Sequence, residues 1–245
     1  MRFAENAPAK NELRVVTWNV GYFAPVTNKN LRDVDTDRVV KVLEEIIPDV
    51  IVLQELGELE QAESIAKRLG PEWNVFSAKT GHGDQVSAIL SKRSFERTEC
   101  FSCGGRMTPG VSIETGDGTD LYVAGVHSPH PARGIDENEE SIRCVLEHAR
   151  NRDEEVTIVT GDLNRDFDPE SRCELYEEIL NEFGDGTIEL GETYYARTRI
   201  DHMFHLPRDL TVSQEGSGMV DLPLRWAEVP GFRDHRPIVV TYQLN

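Results

Sequence analysis

Apolar, β-branched runs with a two-residue alternation recur along the whole chain. They predict strands over 14–20 (RVVTWNV), 49–55 (DVIVLQE), 73–78 (WNVFSA), 86–92 (VSAILSK), 121–127 (LYVAGVH), 156–161 (VTIVTG), 200–206 (IDHMFHL) and 237–244 (PIVVTYQL). An Asp-Gly pair in ETGDGTD (114–120) sits between strand-like flanks and marks a hairpin turn. Apolar positions three and four apart predict helices over 35–47, 60–70, 138–152 and 171–183. Asp35 or Thr36 is the expected cap of the first and Pro48 its stop, and Gly70 suits the end of the second.

Strands outnumber helices and do not alternate strictly with them. This favours two packed sheets flanked by helices over a doubly wound parallel sheet. No repeat, low-complexity tract or long Pro/Gly/Ser linker divides the 245 residues, so a single domain over 1–245 is expected, with residues 1–12 as a flexible N-terminus. That N-terminus lacks the apolar core of a signal peptide, and no stretch approaches the ~20 apolar residues of a membrane span.

Several strands end on polar side chains. Asn19 closes VVTWN, Glu55 closes VIVLQE and His127 closes VAGVH. Asp162 and Asn164 follow TIVTG, Asp201 opens DHMF, and Asp234-His235 precede the last strand. Side chains at i and i+2 of an extended segment share a face, so Asp162 and Asn164 are expected to project together, with Leu163 turned into the core. One such residue means only capping or solvation. The whole Asn/Asp/Glu/His set, without thiolates, suits a hard, oxygen-preferring cation such as Mg2+, with Mn2+ as a substitute.

The order WN, QE, H, GDLN, ID, DH, together with PDVIVLQE and SAILSKR, resembles the endonuclease/exonuclease/phosphatase superfamily of metal-dependent phosphoesterases, from Thr17 to Tyr242. That resemblance implies an α+β fold, a four-layer α/β/β/α sandwich of two mainly antiparallel sheets, with the active site at one end. It implies metal-site roles for Asn19, Glu55 and Asp234, with Glu55 the direct ligand. It also implies that Asp162 and Asn164 position or deprotonate the attacking water and hold the phosphate, that His127 contacts the scissile phosphate, and that Asp201 orients His235. Which group is acid and which base stays open. Phosphate ester hydrolysis needs such groups, because an anionic phosphate repels its nucleophile and gathers further negative charge as it reacts.

Other residues carry two readings each. Arg165 either meets a substrate phosphate or pairs with Asp166 or Asp168, and His130 is a candidate for the substrate pocket. Asp84 or Gln85 is placed to orient His127 or to solvate a turn. His148 is expected on the surface, and His202 and His205 in packing or surface roles. Trp226, Tyr194 and Tyr195 either stack on a base or pack.

The net charge of −18, from 26 basic and 44 acidic residues, disfavours broad capture of nucleic acid. Two substrate classes therefore compete: nucleic-acid phosphodiesters and small phosphorylated molecules. A catalytically inactive binding or scaffold protein is the third reading, and no obligate protein partner is evident. Cys100, Cys103, Cys144 and Cys173 read as reduced structural thiols, rather than half of a zinc site, in a cytoplasmic protein.

Overall fold

A computed structural model of the chain describes residues 7–21, 29–81, 85–115, 118–167, 173–194, 198–221 and 235–244, with the backbone alone over 29–35. In chain order the elements are β1 (Glu12–Asn19), α1 (Lys29–Ile46), β2 (Val50–Leu56), α2 (Leu59–Leu69), β3 (Asn74–Lys79), β4 (Val86–Ser91), β5 (Phe95–Cys103), β6 (Arg106–Glu114), β7 (Asp120–His127), α3 (Ile135–Arg150), β8 (Val156–Asp162), α4 (Glu174–Glu182), β9 (Gly184–Asp185), β10 (Asp201–Leu206), β11 (Val212–Met219) and β12 (Ile238–Gln243). They build two six-stranded sheets, ordered β11-β12-β1-β2-β4-β3 and β5-β6-β7-β8-β10-β9. Only β1·β2 and β7·β8 run parallel; the other pairs are antiparallel. Each parallel pair is joined through a helix, α1 or α3, so each sheet contains one βαβ crossover.

Three apolar layers follow from strand alternation. Leu13 and Val15 of β1, Val50 and Val52 of β2, Leu121 and Val123 of β7, and Val156 and Ile158 of β8 fill the space between the sheets. Their sequence neighbours face outward. Val16, Trp18, Ile51 and Leu53 pack under α1 and α2, and Tyr122, Ala124, Val126 and Val159 under α3 and α4. The four-layer sandwich is therefore the expected one.

The sequence reading gives no range for β5, β6, β9 and β11, of which β6 enters only as the first flank of the 114–120 hairpin. FERTECFSC of β5 is an edge strand with mostly polar, exposed positions, and VSQEGSGM of β11 is polar and glycine-rich. Helix α1 begins at Lys29, ahead of the expected cap at Asp35 or Thr36. The hairpin at 114–120 is present, with Glu114 opposite Asp120. No helix among the described residues is long and apolar enough to cross a membrane.

The cysteine reading needs correction. Cys103 at the end of β5 and Cys144 on α3 form a disulfide, and Cys100 and Cys173 are free. Two positions 41 residues apart meet because α3 packs across the β5–β6 turn. Disulfides persist in oxidising surroundings, so thiol usage no longer argues for a reducing compartment.

His202 and His205 are packing residues. His202 stacks on Phe204 and joins a buried group with Asp185, Thr187, Arg199 and Tyr176. Burial alone would raise the Asp185 carboxyl, but His202, Thr187 and Arg199 hold it at about 2. His205 lies edge-on to Tyr242 at 5.3 Å between centroids, and burial presses its pKa from 6.5 to about 4. A folded pKa below the unfolded one means that the unfolded chain takes up the proton first. Stability therefore falls as pH drops from 6.5 toward 4. In urea unfolding at pH 7 and 4.5, the wild type is expected to lose roughly 2–3 kcal/mol more than His205→Gln over that interval. Equal losses would remove His205 as a source of acid sensitivity.

Candidate active site

The carboxyl ends of both parallel strand pairs meet at one end of the sandwich, the place where α/β crossovers leave an open crevice. Asn19 shares the inward parity of Leu13 and Val15 on β1. His127 shares that of Leu121 and Val123, Asp162 that of Val156 and Ile158, and Asp201 that of Met203. All four therefore line the mouth of the inter-sheet space.

Glu55 has the wrong parity, since it follows the outward-facing Ile51 and Leu53. A break in the β2–β4 register between Leu53 and Leu56, with Glu55 at φ 60°, turns it back. A bulge of this kind is a common way to re-aim one side chain. Gly161 is equally constrained. It has φ 146°, and a Cβ there would lie 1.9 Å from the Val126 carbonyl oxygen. Only glycine fits immediately before Asp162.

Asp162 Oδ2 is the vertex of the cluster. It accepts a hydrogen bond from Asn19 Nδ2 at 2.9 Å and lies 3.7 Å from both His127 Nε2 and His235 Nε2. Asn19 Nδ2 also donates to Glu55 Oε1 at 3.1 Å, which is 3.5 Å from His127 Nε2. Behind His235, Nδ1 meets Asp201 at 2.9 Å, and Thr193 Oγ1 donates to the same carboxylate at 2.8 Å. Burial disfavours charge on His235, but the carboxylates of Asp201, Asp162 and Glu55 outweigh it and push its pKa up to about 9. Burial also pushes the Asp162 carboxyl up to about 7, against the pull of His235. The Tyr194 ring packs on His235, 4.9 Å between centroids.

Arg106, at the start of β6, is a site residue that sequence reasoning missed. Its Nη1 lies 3.1 Å from His127 Nδ1 and 3.5 Å from Gln85 Oε1. A guanidinium only donates, so Nδ1 must accept and the His127 proton sits on Nε2, facing Glu55 and Asp162. Gln85 thus reaches His127 through Arg106. Arg106 follows two glycines after an edge strand, and nothing in that context distinguishes it from a surface arginine.

Other expected residues are placed differently. The strand ends at Asp162, so the i, i+2 relation stops there. Asn164 lies at φ 51°, donates its N–H to Asp162 Oδ1 at 2.7 Å, and gives its Nδ2 to the Ser128 carbonyl at 3.0 Å. Leu163 does enter the core. Arg165 pairs with Glu139 at 2.7 Å rather than with Asp166, and Asp168 lies outside the described residues. His130 is exposed, and its Nδ1 accepts from the Ala132 N–H at the turn Pro131–Arg133. His148 is half-buried instead of superficial, stacked on Phe101 and bonded to Glu99. Asp234, Asp84, His82, Tyr195 and Trp226 lie outside the described residues.

Two groups of side chains could hold a metal ion, Glu55–His127–Asp162 and Asp162–Asp201–His235, each with ligand atoms within 4.8 Å of one another. In the first, carboxylate oxygens predominate. Asn19 Oδ1 is engaged by the Gly21 N–H, and neither free cysteine is among the grouped residues. Such a donor set fits a hard divalent cation.

The Endonuclease/Exonuclease/phosphatase family model matches residues 16–224, and the chain belongs to that family, whose members are phosphoester hydrolases and generally metal-dependent. No curated protein matches its sequence. Among solved structures it is similar to an endonuclease/exonuclease/phosphatase from Bacteroides vulgatus, at 18% identity, TM-score 0.74, over 96% of this chain and 99% of that one. It is also similar to a mannosyl-6-phosphatase from Bacteroides thetaiotaomicron VPI-5482, at 16% identity, TM-score 0.67, over 93% and 98% of the two chains. D. rerio TDP2 in complex with a single strand DNA product is another, at 19% identity, TM-score 0.71, over 94% and 98%. At these identities the likeness is one of fold.

Calorimetric titration with Mn2+ tests the donor set without any substrate. Glu55→Gln is expected to weaken binding by at least about 10-fold, and unchanged affinity would remove Glu55 from the set.

Proposed function

We propose that the protein is a Mg2+-dependent hydrolase of phosphodiester bonds, with Mn2+ as a substitute and nucleic acid as the substrate class. The observation that carries this reading is the shared Asp162 oxygen, faced by an amide and two imidazoles from separate strands and loops. Glu55, with Asn19 and Asp234, would hold the cation, which would supply positive charge to offset the negative charge developing on the phosphate. Asp201 fixes the His235 tautomer and keeps it cationic, so its Nε2–H faces the reacting centre as a phosphate clamp or acid. His127, with its proton on Nε2, offers a second donor to the phosphate. Asp162 orients or deprotonates the attacking water, and Asn164 ties the loop that follows it to the loop after His127.

A small phosphorylated substrate is the second reading, favoured by the −18 charge and by the engagement of Arg165 and Arg199 with internal partners. An inactive scaffold has no chemical use for the retained Asn19, Glu55, Asp162, Asn164 and His235.

A panel of plasmid DNA, single strands, abasic duplex, nucleotides, sugar phosphates and lipid head groups decides among these readings. Turnover of a diester is expected, lost in EDTA and restored by Mg2+ or Mn2+. Full activity in chelator would overturn the metal requirement, a clear monoester preference the nucleic-acid reading, and no turnover at all the assignment as an enzyme. Asp162→Ala and His235→Ala are expected to fold and to lose on the order of 10³-fold or more in kcat. Near-normal rates in either would refute its role.

A further inference from the structure

Helix α3 contributes a residue to the site that touches neither the metal group nor the histidines. Asn138, in its first turns, is fully buried. Its Nδ2 donates to the Pro129 carbonyl at 2.7 Å and to the Leu163 carbonyl at 2.8 Å. Pro129 lies two residues beyond His127, and Leu163 immediately follows Asp162. Facing two carbonyl oxygens settles the amide orientation, because only the NH2 can donate to both. The other amide atom, Oδ1, is buried with no hydrogen-bond partner among the described residues. Leaving a buried acceptor unmade is unfavourable, so the side chain is of use at this position for its two donors.

The same two loops are cross-linked at two other points, and a further bond braces the second loop internally. The Ser128 N–H donates to the Asp162 carbonyl at 2.9 Å, Asn164 Nδ2 to the Ser128 carbonyl at 3.0 Å, and the Asn164 N–H to Asp162 Oδ1 at 2.7 Å. The first two bonds hold the loops to each other, and the third fixes the turn after Asp162. The Arg165–Glu139 pair ties the second loop to α3 at its surface, whereas among the described hydrogen bonds the buried Asn138 amide is the one α3 side-chain group that joins both loops at once. We infer that Asn138 is a positioning residue, which sets where His127 and Asp162 stand relative to one another by clamping the backbones that follow them. The inference rests on the hydrolase reading for its kinetic consequence and on the fold alone for its structural one.

Hydrogen exchange read by mass spectrometry, together with steady-state kinetics on bis(p-nitrophenyl) phosphate with Mn2+, tests it on the full chain. Asn138→Leu keeps the bulk and removes both donors. It is expected to speed exchange in peptides covering 126–130 and 160–165 and to lower kcat by about 100-fold, the scale of a roughly 1 Å misplacement, with KM within about threefold. Val145→Ala, which loosens α3 packing while leaving both Asn138 hydrogen bonds in place, is expected to lower the melting temperature while sparing both readouts. Should Asn138→Leu not fold, Asn138→Ser removes the bridge without apolar bulk and is expected to show the same changes at smaller amplitude. Wild-type exchange and kcat in a folded Asn138 variant would overturn the inference, as would identical changes in Val145→Ala. If the wild type hydrolyses nothing, the functional reading fails, and the exchange comparison alone then decides the clamp.

Discussion

Three carboxylates, Glu55, Asp162 and Asp201, converge at the mouth of the sandwich, and their mutual repulsion is the constraint that the rest of the structure answers. Like charges in a partly dry site interact far more strongly than in water, and burial adds a solvation cost for each. The response is a set of donors drawn from separate segments. The Asn19 amide bridges Glu55 and Asp162. The Asn164 N–H takes the other Asp162 oxygen, and Thr193 and His235 take Asp201. The Asn19 bridge also joins the sheets, because it runs from β1 in one to β8 in the other. Such an arrangement keeps the three carboxylates in fixed positions, and it is stable only while each donor stays in place.

This dependence explains why the scaffold behind the site is so heavily pinned. Helix α3 carries Asn138 against the loops after β7 and β8, Ser141 against the Cys103 carbonyl at 3.2 Å, and Cys144 in the disulfide to Cys103. Cys103 ends the strand before the turn into Arg106, whose guanidinium sets the His127 tautomer. One face of one helix thus fixes three segments that reach the site. On the far side, the buried group around Asp185 and Arg199 anchors the segment leading to Asp201. The Arg199 N–H donates to Asp166 at 3.0 Å, and its carbonyl accepts from the Phe167 N–H at 3.2 Å. Rigid supports of this kind are what hold catalytic groups within fractions of an ångström.

How much of this was legible in the sequence depends on whether the cause was local. Strand alternation is local, so the eight predicted strands, the four helices and the inward parity of Asn19, His127, Asp162 and Asp201 could be read directly. Glu55 was identified by its place after VIVLQ, although its parity was wrong, and a bulge that no residue pattern announces makes it right. Asn164 fell outside the i, i+2 rule because the chain leaves the extended conformation right after Asp162, with Asn164 at φ 51°. Arg106, Asn138 and the Cys103–Cys144 bond were invisible for one shared reason. Each is defined by a partner distant in sequence, and its own neighbours look like ordinary loop, helix or edge-strand residues. Arg165 shows the converse, since an arginine beside GDLN invites a phosphate reading until Glu139 is found opposite it.

The acidic surface and the site also bear on each other through the long-range field. A net charge of −18 raises the local concentration of divalent cations and slows the approach of a polyanion. Near the mouth, Arg106 is buried against His127; burial together with Arg133 lowers its pKa while Asp162 and Glu55 oppose that shift, and the guanidinium stays charged. Arg106 is therefore matched to the carboxylates within the site and adds little to the field outside. Under the proposed function, a phosphate arriving here would be attracted mainly at short range, by His235 and the cation, after it has crossed a repulsive exterior. Recognition of a nucleic-acid diester would therefore fall to the few groups around its scissile phosphate and to the loops beside them. The same field that opposes a polyanion makes loading of a hard cation easier, and the site places Glu55, the most exposed of its three carboxylates, toward that solvent.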